Sequence, residues 1–216
     1  MQFSDDCILM RQPITIQMNN EQKSIPVWDV PIRLFHWSLA LGFISAYITA
    51  EFHFGFLHTL VGYFLSVLVL ARIIWGFVGN QYARFNSFTF TAHETFAYLR
   101  SMFHGTPRHY LGHNPAGALM VFTMLVLLIL ILVTGLTTLA VIDFEGPLLF
   151  LTRYFNDPAS YAMHHLHGWL IDIAIVLILL HIIGVVAGSM QHKENLVKAM
   201  LTGFKKSHPP TSRNFK

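Results

Sequence analysis

Long apolar stretches, almost free of charge, alternate along this chain with short polar ones. Four of them, near 34–51, 57–78, 115–141 and 163–189, are each long enough for the about 20 helical residues that cross a hydrocarbon core. They lack the period-two alternation of barrel strands, and only helices or closed barrels satisfy their backbone groups in lipid. A soluble bundle would need a polar face on each helix, and these runs have none. The pattern therefore predicts an all-α chain, an integral membrane four-helix bundle. The first run has the least distinct exit, where Glu51, His53 and Gly55 interrupt it. The link 79–114 is the one long connection. Its stretch "TAHETFAYLRSMFHG" opens with the capping-box pattern Thr91 to Glu94. That predicts a short interfacial helix between spans two and three, with Phe96, Leu99 and Phe103 toward the membrane surface. The resulting organisation is a polar N-terminal segment 1–26, a four-helix domain 27–190 and a basic tail 191–216.

Charge gives these spans a direction. Charged residues make up 12% of the chain, against about 25% in ordinary soluble domains, so each Lys or Arg carries topological weight. Arg11, Lys23 and Arg33 precede span one. Arg72 ends span two, and Arg84, Arg100 and Arg108 follow it. Lys193, Lys198, Lys205, Lys206, Arg213 and Lys216 follow span four. The opposite side holds only Arg153, beside Asp143, Glu145 and Asp157. The positive-inside rule predicts both termini in the cytoplasm. The first 25 residues are polar and have no apolar core, so they do not read as a secretory signal peptide. A net charge of +3 provides no nucleic-acid-binding stripe. One cysteine, Cys7, excludes an internal disulfide, covalent C-x-x-C-H haem attachment and cysteine-rich zinc or iron–sulfur sites.

The thirteen histidines are the unusual chemical resource. In "MHHLHGWLIDIAIVLILLHIIG", His167 and His181 stand fourteen residues apart. Fourteen helical residues turn about 1,400°, roughly 40° short of four turns, and rise about 21 Å, so the two side chains share a face. His164 and His165 fall roughly 100° and 160° off that face. Span four runs outside to inside, so His167 is outer and His181 inner. "RLFHW" puts His36 in the inner half of span one, and "LHTLVGY" puts His58 in the outer half of span two. Depth then pairs His36 with His181 and His58 with His167. Two six-coordinate irons, each between imidazoles of different helices, use all four side chains. Haem suits this because its porphyrin supplies the four equatorial nitrogens. Gly62, one turn after His58, lets a porphyrin approach the backbone or serves helix packing, and Gly168 and Gly184 carry the same two readings. Arg72 lies on the His58 face but about 21 Å deeper. Arg72 and Arg33 are candidates for the inner propionates, with an interfacial anchor as the competing role. His53 is the rival to His58, and His164 and His165 sit at the outer mouth. His93, His104, His109, His113, His192 and His208 read as cytoplasmic surface residues.

The motifs "VWDVPIRLFHW", "LHTLVGYFLSVLVLARIIWGFVGN", "YARF", "GHNPAGALM", "TG" and "LHGWLIDIAIVLILLH" together resemble the bacterial cytochrome b561 and nickel–iron hydrogenase b-type cytochrome family, from about residue 27 to 190. The resemblance implies a four-helix membrane domain with two non-covalent b haems. Carried over position by position, its ligands are His36, His58, His167 and His181. It further implies electron transfer across a bacterial inner membrane, between the quinone pool and a periplasmic c-type cytochrome or hydrogenase. The alternative is a stand-alone quinone reductase that oxidises superoxide or another small reductant at the outer haem. Bis-histidine ligation leaves no open iron position, so no catalytic residue is assigned. A quinone pocket is expected beside the inner haem, with His113 and Asn114 as nearby polar candidates. Membrane lipid is an expected partner, nucleic acid is not, and a homodimer is compatible with the reading.

Overall fold

The protein is described here as a computed structural model covering residues 24–105 and 108–206, apart from the side chains of Phe103 and Lys206. Three of the four long helices start where a polar side chain captures a free N–H group. Asp29 caps α1 (Val30–Glu51), its carboxylate accepting from Ile32 N at 2.9 Å. Asn114 caps α4 (Pro115–Ile142) through Gly117 N at 2.7 Å. Asn156 caps α5 (Asp157–His192) through Ala159 N at 3.0 Å. Each cap is followed by a proline in the first turn, where no N–H is needed. Only α2 (Gly55–Val78) begins without a side-chain cap, directly after a tight turn in which His53 adopts φ 60°. The caps explain why α1 and α5 start earlier than the apolar runs at 34 and 163. Hydropathy marks only the apolar part of a helix, whereas hydrogen bonding begins at the cap.

The link between α2 and α4 holds a 3₁₀ turn at Phe85–Ser87 and the helix α3 (Ala92–Phe103). The expected capping box is present. Glu94 N donates to Thr91 Oγ1 at 3.2 Å, and Thr91 N donates to Glu94 Oε2 at 2.8 Å. That backbone hydrogen bond, with the Thr91 hydroxyl, holds the Glu94 carboxyl below its usual range. Phe96 stands exposed, and Tyr98 on another face is buried. The side chain of Phe103 lies outside the described set.

α1 packs along α2, α4 packs along α5, and α2 touches α4. The apolar side chains mostly face outward. Leu41, Phe64, Val67, Val126, Val133, Val176 and Ile183 are all more than half exposed. Helices α2, α4 and α5 are long and apolar enough to cross a membrane, and only 6% of the most apolar window of α5 is buried inside the protein. α1 matches them in length, but Arg33, His36, Ser38, Ser45, Thr49 and Glu51 dilute its hydropathy.

One end of the bundle is closed by a clasp. After α5 the chain turns through Lys193, in the left-handed region at φ 51°, into α6 (Leu196–Thr202). It then turns through Gly203, at φ 90°, into β2 (Phe204–Lys206). β2 pairs antiparallel with β1 (Ser24–Pro26), Ser24 opposite Lys206 and Pro26 opposite Phe204. Val27 N and Trp28 N both donate to Gly203 O, at 2.8 and 3.0 Å. This pairing joins two segments that lie on either side of the helical domain in sequence. It also sets the start of α1 beside the end of α5. Asp29 extends the clasp to α2, its second oxygen accepting from Trp75 Nε1 at 3.0 Å and Asn80 Nδ2 at 3.1 Å.

Asp29 thus caps one helix and ties down another. Asp29→Ala is expected to cost about 1–3 kcal/mol, seen as a lower thermal midpoint in detergent. Asp29→Asn, which retains an acceptor oxygen, should cost less.

Candidate functional site

The chemistry-bearing side chains of the helical region meet as two pairs across helix boundaries. His36, near the start of α1, and His181 of α5 have ring centres 6.3 Å apart. His58, in the first turn of α2, and His167 of α5 have ring centres 6.4 Å apart. A metal–imidazole bond of about 2.0–2.1 Å, plus roughly 1.1 Å from ring nitrogen to ring centre, puts two imidazoles on opposite faces of one metal about 6.3 Å apart. Both separations match that value. Among the described residues no group of three or more His, Cys, Asp or Glu gathers to hold a metal ion. The donor set is therefore two imidazoles per site, which suits a group that brings its own equatorial ligands.

The His58–His167 pair makes more hydrogen bonds to the surrounding helices than the His36–His181 pair. His58 Nδ1 lies 3.0 Å from Ala46 O. His167 Nδ1 lies 3.0 Å from Ile131 O and 3.1 Å from Thr134 Oγ1. The Thr134 hydroxyl is itself directed at Leu130 O, 2.8 Å away. Each Nδ1–H therefore donates to oxygen, which leaves the Nε2 lone pair free, the tautomer a metal ligand needs. Gly135 completes the support. A Cβ there would stand 2.9 Å from His167 Cε1, whereas one at Gly62, Gly168 or Gly184 would meet nothing within 4 Å. Gly62 thus faces open space one turn after His58. In the inner pair His36 Nδ1 is buried without a partner, and the ring packs edge-on against Trp37 at 5.2 Å.

The other expected residues divide. Arg72 is buried, donates through Nη2 to Ala83 O at 3.3 Å, lies 4.8 Å over the Phe85 ring, and keeps Nη1 unpartnered. Arg33 donates through Nη1 to Thr202 O at 3.2 Å, tying α1 to α6, and its Nε is unpartnered. His53 is exposed, its Nδ1 3.0 Å from Glu51 O in the α1–α2 turn. His164 and His165 are exposed on α5. Asn114 is committed to capping α4.

His113 is a correction to a surface reading. It is enclosed between Trp28 at 4.6 Å and Phe88 at 4.5 Å, with Nδ1 buried and unpartnered. Burial, with smaller contributions from Arg72 and Lys205, pushes its pKa down to about 3. Lys205 is likewise buried in β2, and desolvation lowers its pKa against the pull of Glu194. Thr134, Gly135 and Lys205 received no site role from sequence. The "TG" pair was the only visible signal for the first two, and nothing local marks Lys205 as buried.

Comparison with known proteins follows the same outline. A family model described as prokaryotic cytochrome b561 matches residues 27–203. The probable Ni/Fe-hydrogenase B-type cytochrome subunit of Azotobacter vinelandii is 26% identical, over 86% of this chain and 90% of its own length. The corresponding protein of Rhizobium leguminosarum bv. viciae is 26% identical, over 85% and 89%. The probable Ni/Fe-hydrogenase 1 B-type cytochrome subunit of Escherichia coli (strain K12) is 21% identical, over 83% and 89%. No solved structure matches significantly.

His113 generates a pH prediction. Its ring stays neutral in the fold down to about pH 3, whereas an unfolded histidine protonates near 6.5. The unfolded chain then binds a proton that the native state refuses. Stability is complete above pH 6.5 and declines by on the order of 1.4 kcal/mol per unit as pH falls toward 3. Hydrogen exchange of the 108–114 loop should accelerate over that window. His113→Phe, which retains the stacking, should flatten the acceleration, and an unchanged slope would count against this account.

Proposed function

The chain belongs to the prokaryotic cytochrome b561 family, and we propose that it relays electrons across a bacterial inner membrane through two non-covalent b haems. Membership makes it a membrane b-type cytochrome, which implies haem b and electron transfer. The finer reading rests on one observation. Two histidine pairs, each from different helices, stand at ring separations of 6.3 and 6.4 Å.

In this reading His36 and His181 hold the inner haem, and His58 and His167 the outer one. When bound, haem supplies a one-electron iron couple. The protein's part would be to hold each haem by two imidazoles from different helices, which would suit a one-electron relay rather than substrate binding at the iron. Ala46 O, Ile131 O and Thr134 orient the outer ligands, and hydrogen bonds of this kind raise ligand basicity. Gly62 allows close approach of the macrocycle. Arg72 and Arg33 have unpartnered guanidinium nitrogens, which suits carboxylate groups at the inner end. The fourteen residues from His167 to His181 separate the two sites by about 21 Å along α5, so electrons hop between leaflets.

Four helices, α1 included, span the bilayer in this reading. The clasp end faces the cytoplasm, since Arg33, Arg84, Arg100, Arg108, Lys193, Lys198 and Lys205 gather toward it and Arg153 alone marks the other side. Quinone is the expected exchange partner at the inner haem. The relatives are named as hydrogenase subunits, which favours a hydrogenase over a c-type cytochrome as the periplasmic partner. The stand-alone small-reductant oxidase draws only on Arg153, whose guanidinium lies over Tyr154.

Purified protein should contain two b haems by haemochrome assay and reduced-minus-oxidised spectrum. His36→Ala or His181→Ala should each remove one haem, and His58→Ala or His167→Ala the other. Gly135→Val, which crowds the His167 ring, should deplete the outer haem alone. A covalent haem, or a full complement after all four histidine changes, would refute the assignment.

A further inference from the structure

The clasp end buries a set of ionisable side chains that the histidine pairs do not use. Glu194, in the turn between α5 and α6, has a side chain only 7% exposed, and its Oε1 accepts from His109 Nε2 at 3.0 Å. Lys205 Nζ of β2 lies 3.9 Å from the other carboxylate oxygen. His192 of α5 packs edge-on against His109 at 5.3 Å, and the Tyr98 hydroxyl of α3 lies 3.5 Å from His192 Nε2. The His109 side chain remains 29% exposed, so the set opens to the aqueous phase there. At its other end Lys205 lies 5.9 Å over Trp28, and the same indole meets His113 at 4.6 Å. Arg72 of α2 and Lys205 are the charges that act on His113. Both His113 Nδ1 and Arg72 Nη1 are buried without a partner.

Cohesion is a weak reason for this arrangement. A buried carboxylate and ammonium hold a fold together no better than apolar side chains of similar size. What they add is a set of groups able to take and release protons, His109, Glu194 and Lys205 in sequence and His113 beyond, with Lys205 and His113 both against the Trp28 ring.

We propose that His109, Glu194, Lys205 and His113 form a proton-exchange route between the cytoplasmic surface and a quinone at the inner end of the bundle. This rests on the quinone reading above. Reduction of a quinone to its quinol takes two electrons and two protons, and oxidation returns both. The electrons travel one at a time by way of the inner histidine pair. In the reducing direction, protonated His109 gives its proton to Glu194. Lys205 gives one toward His113 and is reprotonated by Glu194. His113 stays neutral throughout, because it takes a proton on one ring nitrogen only as it releases the proton of the other to a quinone oxygen. The route is reversible, so it serves either direction of electron flow. Tyr98 is not a carrier, because burial pushes its phenol up to about 12. His192 flanks the entry, and Asp29, engaged with Trp75 and Asn80, balances Arg72.

The test uses the full di-haem protein in nanodiscs, reduced by a short-chain ubiquinol or menaquinol in stopped flow, in H2O and D2O. Glu194→Gln keeps an acceptor for His109 but cannot carry a proton, and His113→Asn and Lys205→Gln are independent interruptions. Each should slow quinol-driven haem reduction at least tenfold and raise the solvent isotope effect. Haem content and the dithionite-reduced spectrum should stay at wild-type values, which excludes misfolding. Lys198→Gln, on the exposed face of α6, should behave as wild type. Redox-difference infrared spectra should also show a protonated-carboxyl band that Glu194→Gln removes. Wild-type rates in all three variants, or no such band in the wild type, overturn the route. A wild-type protein with both haems that no quinol reduces overturns the quinone reading, and the route with it.

Discussion

A hydrocarbon medium offers no partner to a polar side chain, and that constraint organises this protein. The imidazoles on α5 sit among exposed Leu, Ile and Val, so each must be answered from within the chain. For His167 the answer is two oxygens on one ring nitrogen and the His58 ring 6.4 Å away. For His181 it is the His36 ring. These cross-helix pairings make the bundle more than two apolar hairpins in contact, because they join the α1–α2 hairpin to α5.

The two ends of the molecule differ accordingly. The end opposite the clasp is built from the tight α1–α2 turn and the 143–156 connection with its 3₁₀ stretch Leu149–Tyr154, and the His58–His167 pair is oriented by backbone carbonyls of α1 and α4. The clasp end carries Asp29, Arg33, Trp28 and Gly203 in a network that joins β1, α1, α2 and α6. The buried ionisable groups Glu194, Lys205 and His113 also lie at this end.

Much of this was legible in sequence because helices are periodic. The fourteen-residue interval makes His167 and His181 co-facial whatever surrounds them. The direction of each span ranks His36, His58, His167 and His181 by depth. Thr91 and Glu94 announce their own helix start. Asp29, Asn114 and Asn156 also cap helices through contacts only three residues away, yet hydropathy alone started the first and last spans late, at 34 and 163. His113 shows the limit. In sequence it is one more polar residue beside a cap, and its burial comes from Trp28 and Phe88, which other segments bring to it.

The sequence alone therefore determined the long apolar helices, the Thr91–Glu94 helix start, the uneven distribution of Lys and Arg and the shared face of His167 and His181, since all of these follow from local hydrogen bonding, hydropathy and helical pitch. Tertiary structure decided the rest. It set β1 against β2 across the whole length of the chain, buried Lys205 beside Glu194, placed Gly135 against the His167 ring and left Arg33 holding α6. The physical reason is that these contacts join segments far apart along the chain, and no local rule of propensity or spacing specifies which of them will meet.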